Sequence, residues 1–386
     1  MTSSMPAPDA RRKVIVGVDT HKHVHVAVTI DVWGIRLEDR SFAADSGGYR
    51  QLIAWAVGFG PIEAFGIEGT GSYGAGLTSA VRRAGHRVIE VNRGDRRARR
   101  ANGKSDTLDA ELAARSVLAG QSTAVPKTAD GNVEMMRQLK IARDTAVKAR
   151  TSAIISLKTI IVNTPAELRE SLTGLGDKTL IDRCAGFRPG LLDSPTAAAK
   201  HTLRALARRW LFLNDEIHDH DRHLDQLTAD TSPTLRDGFG VGADTAAEML
   251  IIFGDDPNRI RSEAAFAKLC GACPIPASSG MTTGRHRLYR GGHRQANAAL
   301  YRSTIVRMRF HQPTIDYVAR RTAEGMPKRE IIRCIKRFLA REIYQRVMTD
   351  HRARHVDSLE TPAPSIPPAP LRGRLSASWS APSTAS

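Results

Sequence analysis

The chain is 386 residues long, enough for two or three domains with real cores. Its 57 Lys and Arg outnumber 40 Asp and Glu, and the resulting charge of +17 suits a nucleic acid or an anionic membrane surface better than a small metabolite. The apolar runs fall far short of the roughly 18 residues that span a bilayer, and the N-terminal M-T-S-S-M-P-A-P-D-A-R-R-K lacks a signal-peptide core; the expected setting is the cytosol, with no membrane partner.

Residues 1–12 read as a disordered polar leader. V-I-V-G-V-D from Val14 is a strand, H-V-H-V-A-V-T-I from His23 alternates as a second, and R-L-E-D-R-S-F-A from Arg36 is a third. Gly47–Gly60 has a helical pattern. I-E-A-F-G-I-E from Ile62 is a fourth strand, and Ser72 is placed to cap a helix over Tyr73–Ala84. H-R-V-I-E-V from His86 is a fifth strand, and a helix follows over Thr107–Leu118. Three hairpin-connected strands followed by helix, strand, helix, strand, helix is the order of an RNase H-like, or RuvC-like, domain, here over 13–125.

A helical pattern runs over Val133–Val162, is broken by Pro165, and gives way to a Gly- and Pro-rich loop through Pro195. In the next helix Leu203, Leu206, Trp210, Leu213, Ile217, His220, Leu224 and Leu227 are spaced three and four apart, a heptad seam with one polar member. Residues 130–232 therefore read as a coiled-coil helical insertion, either a hairpin within the chain or a dimerisation device. The C-terminal region, 233–350, reads as mainly helical. Its Gly-Val-Gly between Phe239 and Ala243 is a helix-hairpin-helix-like turn, which either offers N–H groups to a phosphate or is a tight turn needed for packing. Met281–Asp350 holds 16 Lys and Arg against 5 Asp and Glu, so it carries most of the net charge. The tail over 351–386, Pro-, Ser- and Ala-rich from about Val356, is expected to be disordered. The fold class is thus α/β plus all-α.

Asp19 and Glu68 end apolar strands, and Asp106 and Asp109 stand three apart at a helix start, so the latter two share a face. Each alone has a plain reading as a surface acid, and Asp106 as an N-cap. Together they would repel unless cations neutralised them, and a pair of Mg²⁺ ions held by such oxygens is suited to phosphodiester chemistry. Arg93, Arg96, Arg97, Arg99, Arg100 and Lys104 lead into the acidic pair and suit contact with a phosphate backbone. His21, His23 and His25 alternate after Asp19; a solvated or lightly packed face fits them better than a metal site, because a turn is expected near Lys22.

Four cysteines, Cys184, Cys270, Cys273 and Cys334, are too few for a disulfide scaffold. Cys270 and Cys273 form a C-x-x-C with no second pair to complete a zinc site, and they read as small buried residues. After them Ser278, Ser279 and Gly280 make a small-residue loop, followed by Arg285, Arg287, Arg290 and Arg294. A hydroxyl beside guanidinium groups is arranged for attack on a phosphate; the plain alternative is a Gly/Ser loop on a basic surface.

D-T-H-K at Asp19, E-G-T-G-S-Y at Glu68, K-S-D-T-L-D-A at Asp106 and Asp109, the G-V-G turn, A-F-A-K-L-C-G-A-C-P-I-P-A-S-S-G and R-G-G-H-R-Q-A-N-A-A-L resemble, in this order over about Val14–Met348, the DEDD-type transposases of the insertion-sequence family "one-ten". The resemblance implies an enzyme of the bacterial cytosol and nucleoid that excises and integrates a mobile element in donor and target DNA. It implies that the four carboxylates hold Mg²⁺ and that a serine preceding a Gly, carried to Ser279 with Ser278 adjacent, forms a phosphoserine link to DNA. A structured guide, or bridge, RNA would pair with both DNAs. A homo-oligomer, dimer or tetramer through the coiled coil, would assemble a composite site. Three other readings share part of this pattern: a RuvC-like nuclease using water, an actin-like kinase and a non-catalytic nucleic-acid binder. The kinase lacks a second phosphate loop, and the binder would have no use for four mutually repelling acids.

Overall fold

The computed structural model describes residues 13–92, 105–276, 286–289 and 291–360. Five strands form one sheet: β1 (Val14–Thr20), β2 (Val24–Asp31), β3 (Arg36–Ala43), β4 (Ile62–Glu68) and β5 (Val88–Val91), in the order β3-β2-β1-β4-β5. β1 pairs antiparallel with β2 and parallel with β4, and β4 runs parallel to β5. β1 is apolar on both sides because both faces of the sheet are covered. One face packs on α1 (Ser46–Val57) and α2 (Ala75–Arg83) through Val16, Val18, Leu52, Phe65, Leu77 and Val81. The other packs on α3 (Asp106–Leu118) through Ile15, Val28, Ile30, Ala110 and Ala114.

α3 lies unusually close to the sheet. A Cβ on Gly17 would fall 1.9 Å from the Ala110 carbonyl oxygen and 2.5 Å from the Ala114 nitrogen. Gly66 on β4 sits under the same helix, where a Cβ would be 2.7 Å from Val117 Cγ2. Two glycines in adjacent strands thus form the bed of α3.

Two expectations for this region need correction. α2 begins at Ala75 rather than Tyr73, with Gly74 as its N-cap and no side-chain cap; Ser72 instead donates to the Gly69 carbonyl inside the preceding turn. His25 is buried rather than solvated, stacked on Tyr49 with ring centroids 5.6 Å apart, and burial lowers its pKa.

α4 (Asn132–Val162) and α7 (Pro195–Thr231) form an antiparallel hairpin, with Asn132 bonded to Thr231 and Arg150 to Asn214. The heptad seam of α7 is used within the chain: Leu203, Ile217 and Leu224 are buried. The hairpin tip is not a simple loop. α5 (Ala166–Leu172) and α6 (Asp177–Ala185) fold there, and Leu168, Leu172, Leu180, Ile181 and Cys184 close a small core with Leu157 and Leu203. Gly and Pro punctuate these short helices rather than abolishing them.

The base of the hairpin enters a larger core through Val133, Met136 and Leu224. That core is built with α8 (Pro233–Arg236), α9 (Ala243–Phe253), α10 (Glu263–Leu269), α11 (Arg294–Phe310) and, beyond α12 (Gln312–Ala323), which packs on its two neighbours, α13 (Lys328–Glu360). α13 runs to Glu360, so the helix continues past 351, where a disordered tail was expected. Gly240 between α8 and α9 has φ +74°, and a Cβ there would lie 3.3 Å from the Ser303 carbonyl, which gives the G-V-G turn a packing role against α11.

A charged joint holds the hairpin to this core. Lys140, with 8% of its side chain exposed, lies 2.7 Å from Asp244, and Arg143 and Arg302 bond the same carboxylate. Burial alone would raise the Asp244 pKa, but the Lys140 hydrogen bond and the surrounding cations outweigh it and leave it lowered. Asp244→Asn removes the nearest of three carboxylates around Lys140, leaving Asp144 at 3.2 Å and Glu248 at 3.5 Å, and should destabilise the protein by about 2 kcal/mol, read as a shift of the urea midpoint. Since the folded pKa is depressed, this contribution is present above the ordinary carboxylate range and is lost as pH falls through the lowered value. An unchanged midpoint in the variant would show that the joint is only a surface contact.

Candidate active site

The acids predicted from sequence gather at one end of the sheet. In the β1–β4 ladder Val18 pairs with Ile67, so Asp19 and Glu68 follow each other across neighbouring strands, 7% and 8% exposed. Thr20 Oγ1 donates to the Glu68 carbonyl at 2.9 Å and ties the two strand ends together. The chain then turns through Gly69, whose φ of +63° lies in the left-handed region that glycine adopts without strain. A Cβ on Gly74 would fall 2.8 Å from the Glu68 carbonyl, so the E-G-T-G-S-Y-G segment closes tightly behind the acid.

α3 supplies the other two. Its N-cap is Ser105, which makes Asp106 the first helical residue rather than the cap, and Asp109 lies one turn on, 4% exposed. The N-terminal end of the helix dipole favours negative charge at both positions.

The shortest convergence involves a residue that the sequence reading set aside. His21 Nε2 lies 3.2 Å from Asp19 Oδ2 and 3.3 Å from Asp106 Oδ2. Donor atoms of Asp19, His21 and Asp106 all lie within 4.8 Å of one another, the grouping of this kind among the described residues. Nε2 is inaccessible to solvent and makes no hydrogen bond of acceptable angle, although it is within ion-pair distance of both oxygens. An imidazole nitrogen lying between two carboxylate oxygens is disposed like a ligand sharing a cation. Glu68 ends the strand next to that of Asp19 and Asp109 lies one helical turn after Asp106, and neither enters the 4.8 Å group. D-T-H, with His two residues after a strand-ending acid, was the available signal. The turn expected near Lys22 is present, and it folds His21 back over Asp19.

The donor set fits a divalent cation. It offers carboxylate oxygens, which Mg²⁺ accepts, plus one imidazole, which Mn²⁺ and other transition metals accept more readily than Mg²⁺ does.

Of the residues proposed to meet nucleic acid, Arg93, Arg96, Arg97, Arg99, Arg100, Lys104, Arg285 and Arg290 lie outside the described residues, as do Ser278 and Ser279. Arg287 and Arg294 are described, and both are exposed. The serine segment joins two short antiparallel strands, β6 (Pro274–Pro276) and β7 (His286–Leu288). Their root is firmly held. Asn297 on α11 donates from Nδ2 to the carbonyls of Cys270 and Gly271, each at 2.9 Å, and its Oδ1 accepts from Lys336 at 2.6 Å. Burial lowers the Lys336 pKa. A Cβ on Gly292 would fall 2.2 Å from the Gly271 nitrogen, so the backbone at Gly292 seats directly on that at Gly271. Cys270 is fully buried, its thiol pushed up to about 12 by burial, which agrees with a packing role. Sequence reasoning missed the Asn297–Lys336 pair, because no local pattern links residues so far apart.

No helix among the described residues is long and apolar enough to cross a membrane. A transposase family model of the DEDD type of IS110 matches residues 16–164, which contain all four acids. The model described as "Transposase IS116/IS110/IS902 family" matches residues 233–319, which contain the serine segment. The chain is also 27% identical over 168 residues to the "Insertion element IS116 uncharacterized 44.8 kDa protein" of Streptomyces clavuligerus, an alignment covering 42% of this chain and 39% of that protein. The likeness to that relative therefore spans well under half of its length. Two models of IS110-type transposase domains thus match this chain, one in each half and in order.

Proposed function

We propose that this protein excises and integrates an insertion sequence by metal-dependent DNA cleavage and strand transfer. The observation that carries the reading is the meeting of Asp19, His21 and Asp106, with Glu68 at the neighbouring strand end and Asp109 one helical turn on, inside a segment that matches a DEDD transposase model. The units would be a catalytic α/β domain over 13–125, the helical insertion over 130–232 and a serine-bearing domain over 233–350.

In this reading Asp19, Glu68, Asp106 and Asp109 hold Mg²⁺, two ions per site. The ions, when bound, neutralise charge on the phosphate oxygens. Ser279 Oγ attacks phosphorus as a P–O bond to deoxyribose breaks; the serine proton leaves and the departing alkoxide gains one. Attack by a second DNA hydroxyl then reverses the exchange and releases the serine. Arg287 and Arg294 offer guanidinium groups to the phosphate. The Asn297 bonds to Cys270 and Gly271 fix the stem from which the serine segment departs.

A structured guide RNA would select donor and target, leaving the protein to read charge and shape, consistent with an aromatic content of 5%. Oligomerisation would use the outer face of the hairpin, where Ile141, Ile155, Val162 and Phe212 are 54%, 58%, 65% and 70% exposed.

The test is a denaturing protein gel after incubating the protein with Mg²⁺, RNA from the element's flank, and labelled donor and target DNA. A covalent protein–DNA adduct that disappears in Ser279→Ala and persists in Ser278→Ala is the expected result. Cleavage without an adduct would remove the serine step, and loss of the adduct in Ser278→Ala alone would move the nucleophile by one residue.

A further inference from the structure

Beside the β6–β7 stem lies a cleft of about 450 Å³ that none of the roles above uses. Its volume is within the range of about 300–1,000 Å³ that holds small organic groups. One wall is the stem, with Pro274 and Arg287; the other is α13 and its approach, with Met326, Glu330, Arg333, Arg337 and Phe338.

Three features set it apart from an ordinary basic surface. Arg287, Arg333 and Arg337 all line it, and none forms an ion pair among the described residues. Exposed arginines elsewhere in this chain are often matched, as Arg115 is to Glu111 and Arg302 to Asp244. The Nη1 atom of Arg337 is inaccessible to solvent and has no hydrogen-bond acceptor. Phe338 is 53% exposed on the same wall and is held edge-on by Tyr317, ring centroids 5.7 Å apart at 85°. An exposed aromatic beside unpaired guanidinium groups is suited to one ligand chemistry: a planar heteroaromatic ring attached to an anion.

We propose that this cleft receives a single unpaired nucleotide of the nucleic acid bound by the protein. The phosphate lies among Arg287, Arg333 and Arg337, and the base stacks on Phe338 and slides over Met326. Glu330, the carboxylate of the cleft, accepts from an exocyclic amino group and keeps the phosphate toward the arginines. The inference rests on the reading that the protein acts on nucleic acid and adds a subsite to it: a nucleotide displaced from its helix is held beside the stem of the serine segment.

Fluorescence anisotropy at one fixed salt concentration tests it with the full-length protein. The probes are a fully paired duplex and the same duplex carrying one extrahelical nucleotide, in deoxyribo and ribo versions. Phe338→Ala and Arg337→Gln should each weaken binding of the bulged probe at least about tenfold and change binding of the paired probe less than twofold, since stacking of one base contributes about 1–3 kcal/mol. Whichever sugar shows the larger loss identifies the source of the nucleotide. Equal losses on paired and bulged probes would overturn the proposal, because the cleft would then be one more backbone contact. No loss on either would also overturn it. Wild-type protein that binds neither probe would overturn the nucleic-acid reading itself, a distinct outcome. Circular dichroism melting of both variants checks folding, and a bulged 5-iodouridine should photo-crosslink to the peptide containing Phe338.

Discussion

Asp19→Asn should abolish strand transfer, lowering its rate by at least about 10³-fold, while binding of DNA and RNA changes less than about twofold. The substitution keeps the size of a side chain that is 7% exposed at the end of a central strand, so the fold has little to respond to. What it removes is a negative charge and one hard oxygen ligand. Loss of a cation's stabilisation of transition-state charge is worth several kcal/mol, and about 1.4 kcal/mol is a tenfold change in rate. The measurement is strand transfer in a saturating concentration of Mg²⁺ or Mn²⁺, with anisotropy for binding. Recombination within tenfold of wild type would remove Asp19 from the catalytic group. Binding of Mn²⁺, followed by its electron paramagnetic resonance signal, should fall in parallel, which separates a metal defect from a DNA-docking defect.

Gly17→Ala should be as damaging without touching a functional group. Its new methyl would stand 1.9 Å from a backbone oxygen and 2.5 Å from a backbone nitrogen of α3, neither of which can rotate away. The helix has to lift, and such overpacking costs about 3 kcal/mol or more. Lifting α3 also carries Asp106 and Asp109 away from Asp19, so Mn²⁺ binding and strand transfer should fall together with stability. Gly71→Ala is the control, because nothing lies within 4 Å of a Cβ there and its φ is ordinary. Urea denaturation followed by tryptophan emission reads the difference. Equal stability of Gly17→Ala and wild type would mean that α3 is not seated on the sheet as described.

Much of the α/β half was legible because its signals are local. Val14–Asp19 and Ile62–Glu68 are apolar runs that stop at an acid, and an acid at the end of a buried strand is conspicuous. β3 was read with the bounds it has, Arg36–Ala43, because turns bracket it. The readings that failed depended on contacts distant in sequence. His25 alternates like a half-solvated strand residue, but the ring of Tyr49 covers it. The stretch after Pro165 contains breakers, yet Leu168, Leu172, Leu180 and Ile181 find a core between the ends of two long helices. His21 looked like a turn residue and is one; only the turn's fold over the strand end shows that it meets Asp19 and Asp106. The Asn297–Lys336 bond and the three unpaired arginines of the cleft join segments that no periodicity connects.

The long helical hairpin has a consequence for how such proteins can change. Its first helix has 31 residues, which at about 1.5 Å per residue makes a rod of about 45 Å. One end is planted in the C-terminal core and the other carries a small core of its own. Reach and chemistry are therefore separately adjustable. A lengthening of both helices by seven residues leaves the tip within about 20° of its original bearing, whereas a lengthening by two or three points it to another side. Proteins built on this plan should differ in the hairpin by paired sevens, and an alignment in which the lengths vary freely would show that the bearing of the tip does not matter.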